Sequence, residues 1–366
     1  MARTGELTGR ILTPDGFANG RIHWRNGIIE GVEKVAGVEG AYVLPGFVDL
    51  HCHGGGCADV MEGGEASRIV ARTHAASGTT SFLATTMTAP VPDIEMALAA
   101  VERVRLAPGR GEAAVLGVHL EGPFISPERL GAQPANAIAA DVDLMRRFLG
   151  LAAIKVVTIA AEVDPDGTFI RFLDGEGIRV QLGHSLADYD AAARAFRCGC
   201  RSVTHLFNAM SPLQHRAPGI VGAAFAHLDY AELIPDLLHV HPGAIRAALR
   251  AIPNVYAVTD ATLATGMPDG AHTFGARTVF KCDNGVRLAD GTLAGSSLTM
   301  LQAFRNFVTL GLSIEESSRR TSTIAADYIG ALDRGRLASG AVADMVVIDE
   351  NLSLIDTFVG GRPVRG

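Results

Sequence analysis

Residues 43–56 read VLPGFVDLHCHGGG, an apolar run that ends in His51-Cys52-His53 and then in three glycines. Such a run fits a strand buried on both faces, as in a parallel sheet. Side chains alternate along a strand, so His51 and His53 share one face while Cys52 points to the other. Comparable runs follow at 79–84 (TTSFLA), 115–120 (VLGVHL), 154–160 (IKVVTIA), 178–182 (IRVQL), 202–206 (SVTHL), 233–240 (LIPDLLHV) and 255–259 (VYAVT). Helical stretches lie between them: 65–77 closed by Gly78, 92–106 opened by Pro92, 188–198 closed by Gly199, and 242–252 opened by Pro242. Proline near a helix start and glycine past its end is the expected punctuation. Eight buried strands alternating with helices predict an α/β fold, a (β/α)8 TIM-like barrel, which takes about 250 residues. A doubly wound open sheet is the alternative, but no GxGxxG follows the first strand.

Outside that pattern the texture is different. Residues 8–44 read as short strands and turns, with Asn19-Gly20 and Asn26-Gly27 as hairpin-turn signals. From Gly335 onward, GRLASGAVADMVVIDENLSLIDTFVGGRPV returns to the same style. Both ends are therefore expected to build one small β-sandwich domain, 1–45 with 335–366, beside a barrel over 46–334.

Composition narrows the function classes. A chain of 366 residues divides into two domains at most at about 150 residues each. With 48% hydrophobic and 19% charged residues it has ordinary globular composition and is not intrinsically disordered. A net charge of −7 without a basic stripe argues against nucleic acid as a partner. No apolar run approaches the roughly 18 residues that span a bilayer, and the start, MARTGELTGRILTPDGF, has no secretory apolar core. The expectation is a cytoplasmic protein with no membrane partner. Five cysteines, an odd number with no CxxC pair, point to reduced thiols rather than a disulfide framework, and Cys198-Gly199-Cys200 reads as ordinary packing at a helix end.

The chemistry lies at the strand ends. Besides His51 and His53, Glu121 ends the third strand, His184 the fifth, His205 the sixth and Asp260 the eighth. Each has a mundane explanation by itself, such as a core histidine or a helix cap. Only 12 histidines are spread over the chain, however, and four of them fall with two acids where a barrel places its active site. These nitrogen and carboxylate donors suit Zn2+ or a similar first-row divalent metal.

The motifs HCH, GVHLEGPFISP, LGHS, THLFNAM, LLHVHP, VTDA and LAGSSLTM, with the tail ADMVVID, together resemble the N-acetylglucosamine-6-phosphate deacetylase family of the amidohydrolase superfamily. The likeness runs from about residue 8 to the C-terminus. It implies the same barrel plus a small β-sandwich from both termini, and hydrolysis of N-acetylglucosamine 6-phosphate to glucosamine 6-phosphate and acetate. Glu121, His184 and His205 match the family's principal metal ligands. His51 and His53 match a second metal position that only some members fill, so that one or two ions per subunit are implied, Zn2+ foremost, with Glu121 as the bridge. Asp260 matches the catalytic aspartate, which takes a proton from a water acidified by the metal and returns it to the departing amine. Asn208, Ala209, Arg216 and His239 match contacts to the sugar phosphate, the arginine coming from the neighbouring subunit of a homodimer; an arginine fork binds phosphate bidentately. His119 and His241 are read as supporting or packing residues.

Two departures from the family pattern stand out. Gln133 occupies the place of a histidine thought to polarise the acetyl carbonyl; its amide can donate a hydrogen bond but not as a cation. Leu237 stands where the family often has glycine. The first departure keeps another N-acetyl amino-sugar phosphate, such as the galactosamine epimer, as the alternative substrate. A relative acting on a neutral cyclic amide has no use for a phosphate clamp. A non-catalytic amidohydrolase-like scaffold is expected to have lost metal ligands or the acid, and here all six are present.

Overall fold

The computed structural model describes residues 4–37, 40–274, 277–282, 285–289 and 291–365. At its centre are eight parallel strands: β1 (Phe47–Cys52), β2 (Thr79–Thr86), β3 (Ala114–Glu121), β4 (Ile154–Ile159), β5 (Arg179–Leu182), β6 (Cys200–Val203), β7 (Tyr230–Leu233) and β8 (Asn254–Ala257). Strands β1 to β6 pair in chain order, and β7 pairs with β8. The two pieces join at both edges. Leu206 N–H, past the end of β6, donates to Glu232 O of β7 at 2.9 Å, and Asp260 N–H, past the end of β8, donates to His51 O of β1 at 2.8 Å. Asp49 of β1 reinforces the second seam by accepting from the backbone N–H and the hydroxyl of Thr259 at 3.1 and 2.5 Å. The ring is thus closed into a barrel, and helices such as Ala66–Ala75, Val91–Leu106 and Tyr189–Cys198 cover its outside. Every residue of β1 and β2 is buried, which is why these strands read as apolar runs and not as alternating ones. The two predicted helix-closing glycines, Gly78 and Gly199, have φ of 92° and 127°, a region a Cβ disfavours.

The two ends of the chain meet in one seven-stranded sheet. Its strand order is Arg362–Pro363, Leu354–Val359, Met345–Ile348, Tyr42–Pro45, Thr4–Thr13, Gly16–Arg25 and Ile28–Lys34. Trp24 and Phe358 lie on strands four positions apart, which in a flat sheet means about 19 Å at 4.7–4.9 Å per strand. Their rings are instead 5.9 Å apart in an edge contact, and Trp24 Nε1 donates to Gly361 O at 3.2 Å. The sheet is folded over on itself as a sandwich, enclosing Ile11, Ile22, Trp24, Ile29, Val43, Leu337 and Met345.

Several sequence expectations are corrected in detail. The run 43–50 is split at Gly46, with Tyr42–Pro45 in the small sheet and β1 in the barrel; a Cβ on Gly46 would lie 2.2 Å from Thr80 Oγ1. The seventh strand is 230–233 and not 233–240. Pro235 has no N–H to offer a ladder, and Asp236 Oδ1 draws the N–H groups of Leu238 and His239 into a turn. The sixth strand stops at Val203, before His205. Asn26-Gly27 is the hairpin turn that the sequence suggests, but Asn19-Gly20 lies inside a strand, where Gly20 lets the next strand approach: a Cβ there would be 2.1 Å from Glu33 O. Four antiparallel strands between Gly270 and Ser296, which the sequence reading passes over, follow β8. Cys198 and Cys200 pack as a half-buried and a buried thiol around Gly199. Among the described residues no helix is long and apolar enough to cross a membrane.

The folded-over sheet makes Trp24 the keystone of the small domain. Trp24→Ala is expected to cost about 3–5 kcal/mol, the range for truncating a buried large aromatic. Denaturant unfolding followed by circular dichroism reads this; an unshifted midpoint contradicts the packing described.

Candidate active site

The carboxyl ends of the barrel strands surround a cavity of about 220 Å³. His53, Glu121, Gln133, His184, His205, Asn208, Ala209, His239 and Asp260 all line it. His51 lies fully buried just behind them. Arg216 does not join them. It sits on an exposed loop and borders a separate surface depression with Leu186, Ser211 and Gln214.

Glu121, the last residue of β3, divides its two oxygens between two pairs of histidines. Oε1 is 3.0 Å from His184 Nε2 and 3.1 Å from His205 Nε2, and these two nitrogens are 3.1 Å apart. Oε2 is 3.1 Å from His53 Nε2 and 3.5 Å from His51 Nε2, again with 3.1 Å between the nitrogens. Asp260 Oδ1 closes the second group at 3.3 Å from His53 Nε2 and 3.5 Å from His51 Nε2. Two imidazole nitrogens facing each other across 3.1 Å can share at most one hydrogen, so hydrogen bonding alone leaves each group short of positive charge. A cation held about 2.0–2.2 Å from such donors satisfies them together. The residues present therefore fit a divalent metal, in either group or in both.

The outer nitrogens of three histidines set which inner nitrogen is bare. Nδ1 of His51 faces Glu232 Oε1 at 2.8 Å, that of His53 faces Thr85 O at 3.2 Å, and that of His184 faces Arg129 O at 2.8 Å. Each partner accepts a hydrogen bond from Nδ1–H, which keeps the proton on Nδ1 and leaves Nε2 free to bind a metal. His205 Nδ1 is buried without a hydrogen-bond partner. Burial alone would raise the Glu121 carboxyl, but in the metal-free protein, where these imidazoles can take up a second proton at Nε2, the charge of His51 and the hydrogen bonds from His184 and His205 hold it well below the usual carboxylate range. Burial acts the same way on Asp260, and there His51 and His53 outweigh it and bring the carboxyl down to about 2.

Backbone strain is concentrated at this mouth. His184, His205, Ala209 and Asp260 have φ of 47°, 32°, 50° and 48°, four of the nine non-glycine residues with positive φ among those described. A side chain in that region costs on the order of 1–3 kcal/mol, and persists where surrounding bonds over-determine it. Here they do: His205 N–H donates to Glu232 Oε1 at 2.8 Å, and Asp260 is pinned through its N–H to His51 O and through its carbonyl by Ser296 N–H.

Gln133 is placed differently from the expectation of a donor to the acetyl oxygen. Its amide NH2 donates to Glu121 Oε2 at 2.6 Å, and its oxygen accepts from Thr88 N–H at 2.7 Å, which fixes the amide's orientation. It clamps the shared carboxylate. Asn208 donates its side-chain amide into its own turn, to His205 O at 3.1 Å and Leu206 O at 3.4 Å. His119 is a satisfied core histidine under the centre, bonded to Leu50 O and Thr158 Oγ1 and held neutral, with burial and His51 lowering it to about 3. His241 caps the helix Pro242–Ala251.

Three contributors escape the sequence reading. Glu232 stands in AELI, where a lone acid in an apolar strand is the one available signal. Asp236 accepts from His239 Nδ1 at 2.6 Å. Burial would lower His239, but that bond and the Asp236 charge raise it above its ordinary value. Leu293 to Gly295, from the inserted strands, form one wall of the cavity; their motif is conspicuous in the sequence, but its placement depends on strands not foreseen there.

Comparison with known proteins agrees with this geometry. The amidohydrolase family model matches residues 42–364. An N-acetylglucosamine-6-phosphate deacetylase of Lysinibacillus sphaericus is 38% identical over 342 residues, covering 91% of this chain and 88% of the relative. The corresponding enzyme of Danio rerio is 35% identical, covering 97% of this chain and 91% of the relative. Among solved structures, a mutant of the Mycobacterium smegmatis deacetylase in complex with N-acetyl-D-glucosamine-6-phosphate superposes with a TM-score of 0.90 at 30% identity, covering 99% of both chains.

The clamp predicts a measurable cost. Gln133→Ala leaves the buried Thr88 N–H without its acceptor and takes one donor from Glu121 Oε2, and is expected to destabilise the metal-free protein by about 1–3 kcal/mol. Thermal unfolding checks this, and an unchanged midpoint removes Gln133 from that role.

Proposed function

The chain belongs to the amidohydrolase family and, within it, to the N-acetylglucosamine-6-phosphate deacetylases, and on that premise we propose that its residues hydrolyse N-acetylglucosamine 6-phosphate to glucosamine 6-phosphate and acetate in the manner set out below. The observation that carries this reading is Glu121, shared between two histidine pairs beneath Asp260. We assign Glu121, His184 and His205 to one ion, His51 and His53 to a second, and Zn2+ as the ion, since the nitrogen and carboxylate donors suit it. When bound, such an ion acidifies a water and polarises a carbonyl oxygen.

The remaining work falls to the chain's own groups. Asp260 is ionised at neutral pH and reaches the cavity with its carboxylate. It takes a proton from the attacking water and delivers it to the amine nitrogen as the C–N bond breaks, because an amine leaves poorly unless protonated. Gln133 holds the shared carboxylate in register through Glu121 Oε2. His239, whose positive form is favoured by Asp236, faces the phosphate together with the Asn208-Ala209 turn. Arg216, which is not part of its own chain's cavity, serves the neighbouring site of a homodimer.

Zinc-loaded protein is expected to release acetate rapidly from N-acetylglucosamine 6-phosphate and slowly or not at all from unphosphorylated N-acetylglucosamine. Asp260→Asn should keep its metal and lose turnover. Faster release from N-acetylgalactosamine 6-phosphate would reassign the sugar, and full activity of Asp260→Asn would remove that residue from the chemistry. Subunit sharing has its own test: Arg216→Ala and Asp260→Asn proteins, each inactive or impaired, should recover activity when unfolded and refolded together. A mixed dimer then contains one site with both native residues. Failure of mixed refolding to exceed the two parents means Arg216 acts within its own chain or not at all.

A further inference from the structure

Glu232, the residue before the end of β7, is fully buried beneath the cavity and has no step in the hydrolysis set out above. One of its oxygens carries two bonds. Oε1 lies 2.8 Å from His51 Nδ1 and accepts from His205 N–H at 2.8 Å. Its other oxygen, Oε2, is buried with no hydrogen-bond partner. A buried carboxylate that spends one oxygen on two bonds and leaves the other bare is costly unless positive charge stands close by. The nearest side chains that can supply it are imidazoles: His51, whose far nitrogen faces Glu121, and His119, which is held neutral.

We propose that Glu232 is a positioning residue that ties the two halves of the metal centre together. Through His51 Nδ1 it fixes the tautomer and ring orientation that turn Nε2 toward Glu121, and its charge makes that imidazole a stronger donor to a metal. Through His205 N–H it holds the backbone of a ligand of the other half in its strained conformation, φ 32°. A single oxygen thus registers a side chain of one group against the main chain of the other. The inference rests on the two-ion reading given above, and it adds what keeps the second position loaded.

The test is a titration of metal-free protein with Zn2+ against a chromophoric chelator, reading the stoichiometry and affinity of each step. Wild type should take up two ions. Glu232→Gln keeps the shape and an oxygen for both bonds but removes the charge. It should bind the first ion within about 3-fold of wild type and the second about 10–100-fold more weakly, the usual effect of losing such a partner. The unfolding midpoint of the metal-free variant should stay where it is, which a merely structural role would not allow alongside a metal defect. If Glu232→Gln does not fold, Glu232→Asp, which withdraws the oxygen by one methylene, carries the same test of the second step. Two ions in wild type and unchanged affinities in the folded variant overturn the role of Glu232 alone. A single ion in wild type overturns the two-ion reading and this inference with it.

Discussion

A carboxylate buried among four imidazoles is the constraint on which this protein turns. Glu121 cannot be taken out of water at the end of β3 unless both of its oxygens are matched by positive charge or by donors. The barrel meets that demand with five side chains from four segments. β1 brings His51 and His53, the segments after β5 and β6 bring His184 and His205, and the loop beyond β3 returns Gln133 to Oε2. A parallel barrel is suited to the task because its strands all end at one mouth, so residues remote in sequence converge without long loops. The seam between β1 and β8, tied by Asp49 to Thr259, also sets Asp260 beside the two histidines that begin the barrel.

The local conformations at the mouth are costly and mutually dependent. His184, His205, Ala209 and Asp260 are all left-handed, and none of them is free to relax while its neighbours' bonds are in place. Strain of this kind places donors where an extended strand would not. His205, for example, lies two residues past β6 and still turns Nε2 onto Glu121. The small folded-over sheet stands apart from this chemistry. It unites both chain ends around Trp24 and borders the barrel through Gly46, which admits Thr80 only because it lacks a side chain.

Much of this was legible in the residues, for reasons that are physical. Strands buried on both faces leave uninterrupted apolar runs, and histidines at their ends are conspicuous because the rest of the run is apolar. The alternation of His51-Cys52-His53 correctly put two imidazoles on one side and the thiol on the other, where Cys52 Sγ meets His74. The failures have equally definite causes. Residues 233–240 look like a strand by composition, but Pro235 and the Asp236 carboxylate make a turn that no hydropathy pattern records. Glu232 hides because an acid within an apolar strand has no meaning until the strands across the barrel are placed. The sequence shows that the Gln133 amide can donate but not to what, because its orientation toward Glu121 is set by Thr88 N–H, 45 residues away in sequence. Arg216 borders a separate surface depression and not the cavity of its own chain, a placement that the sequence around it does not reveal.

On the substrate side the same logic extends outward from the carboxylate. The Asn208-Ala209 turn and the Asp236-supported His239 lie on the cavity wall, within one small enclosure with Asp260. In the proposed reading a phosphate at that end and an acetamide over Glu121 set the scissile bond against Asp260. The proposed chemistry puts two ions on either side of one carboxylate. The most direct measurement is a crystal of the zinc-loaded protein recorded at the zinc absorption edge. The account predicts two anomalous peaks on either side of Glu121, about 3.5–4 Å apart as in other two-metal sites. A single peak, or a second one away from His51 and His53, would contradict it.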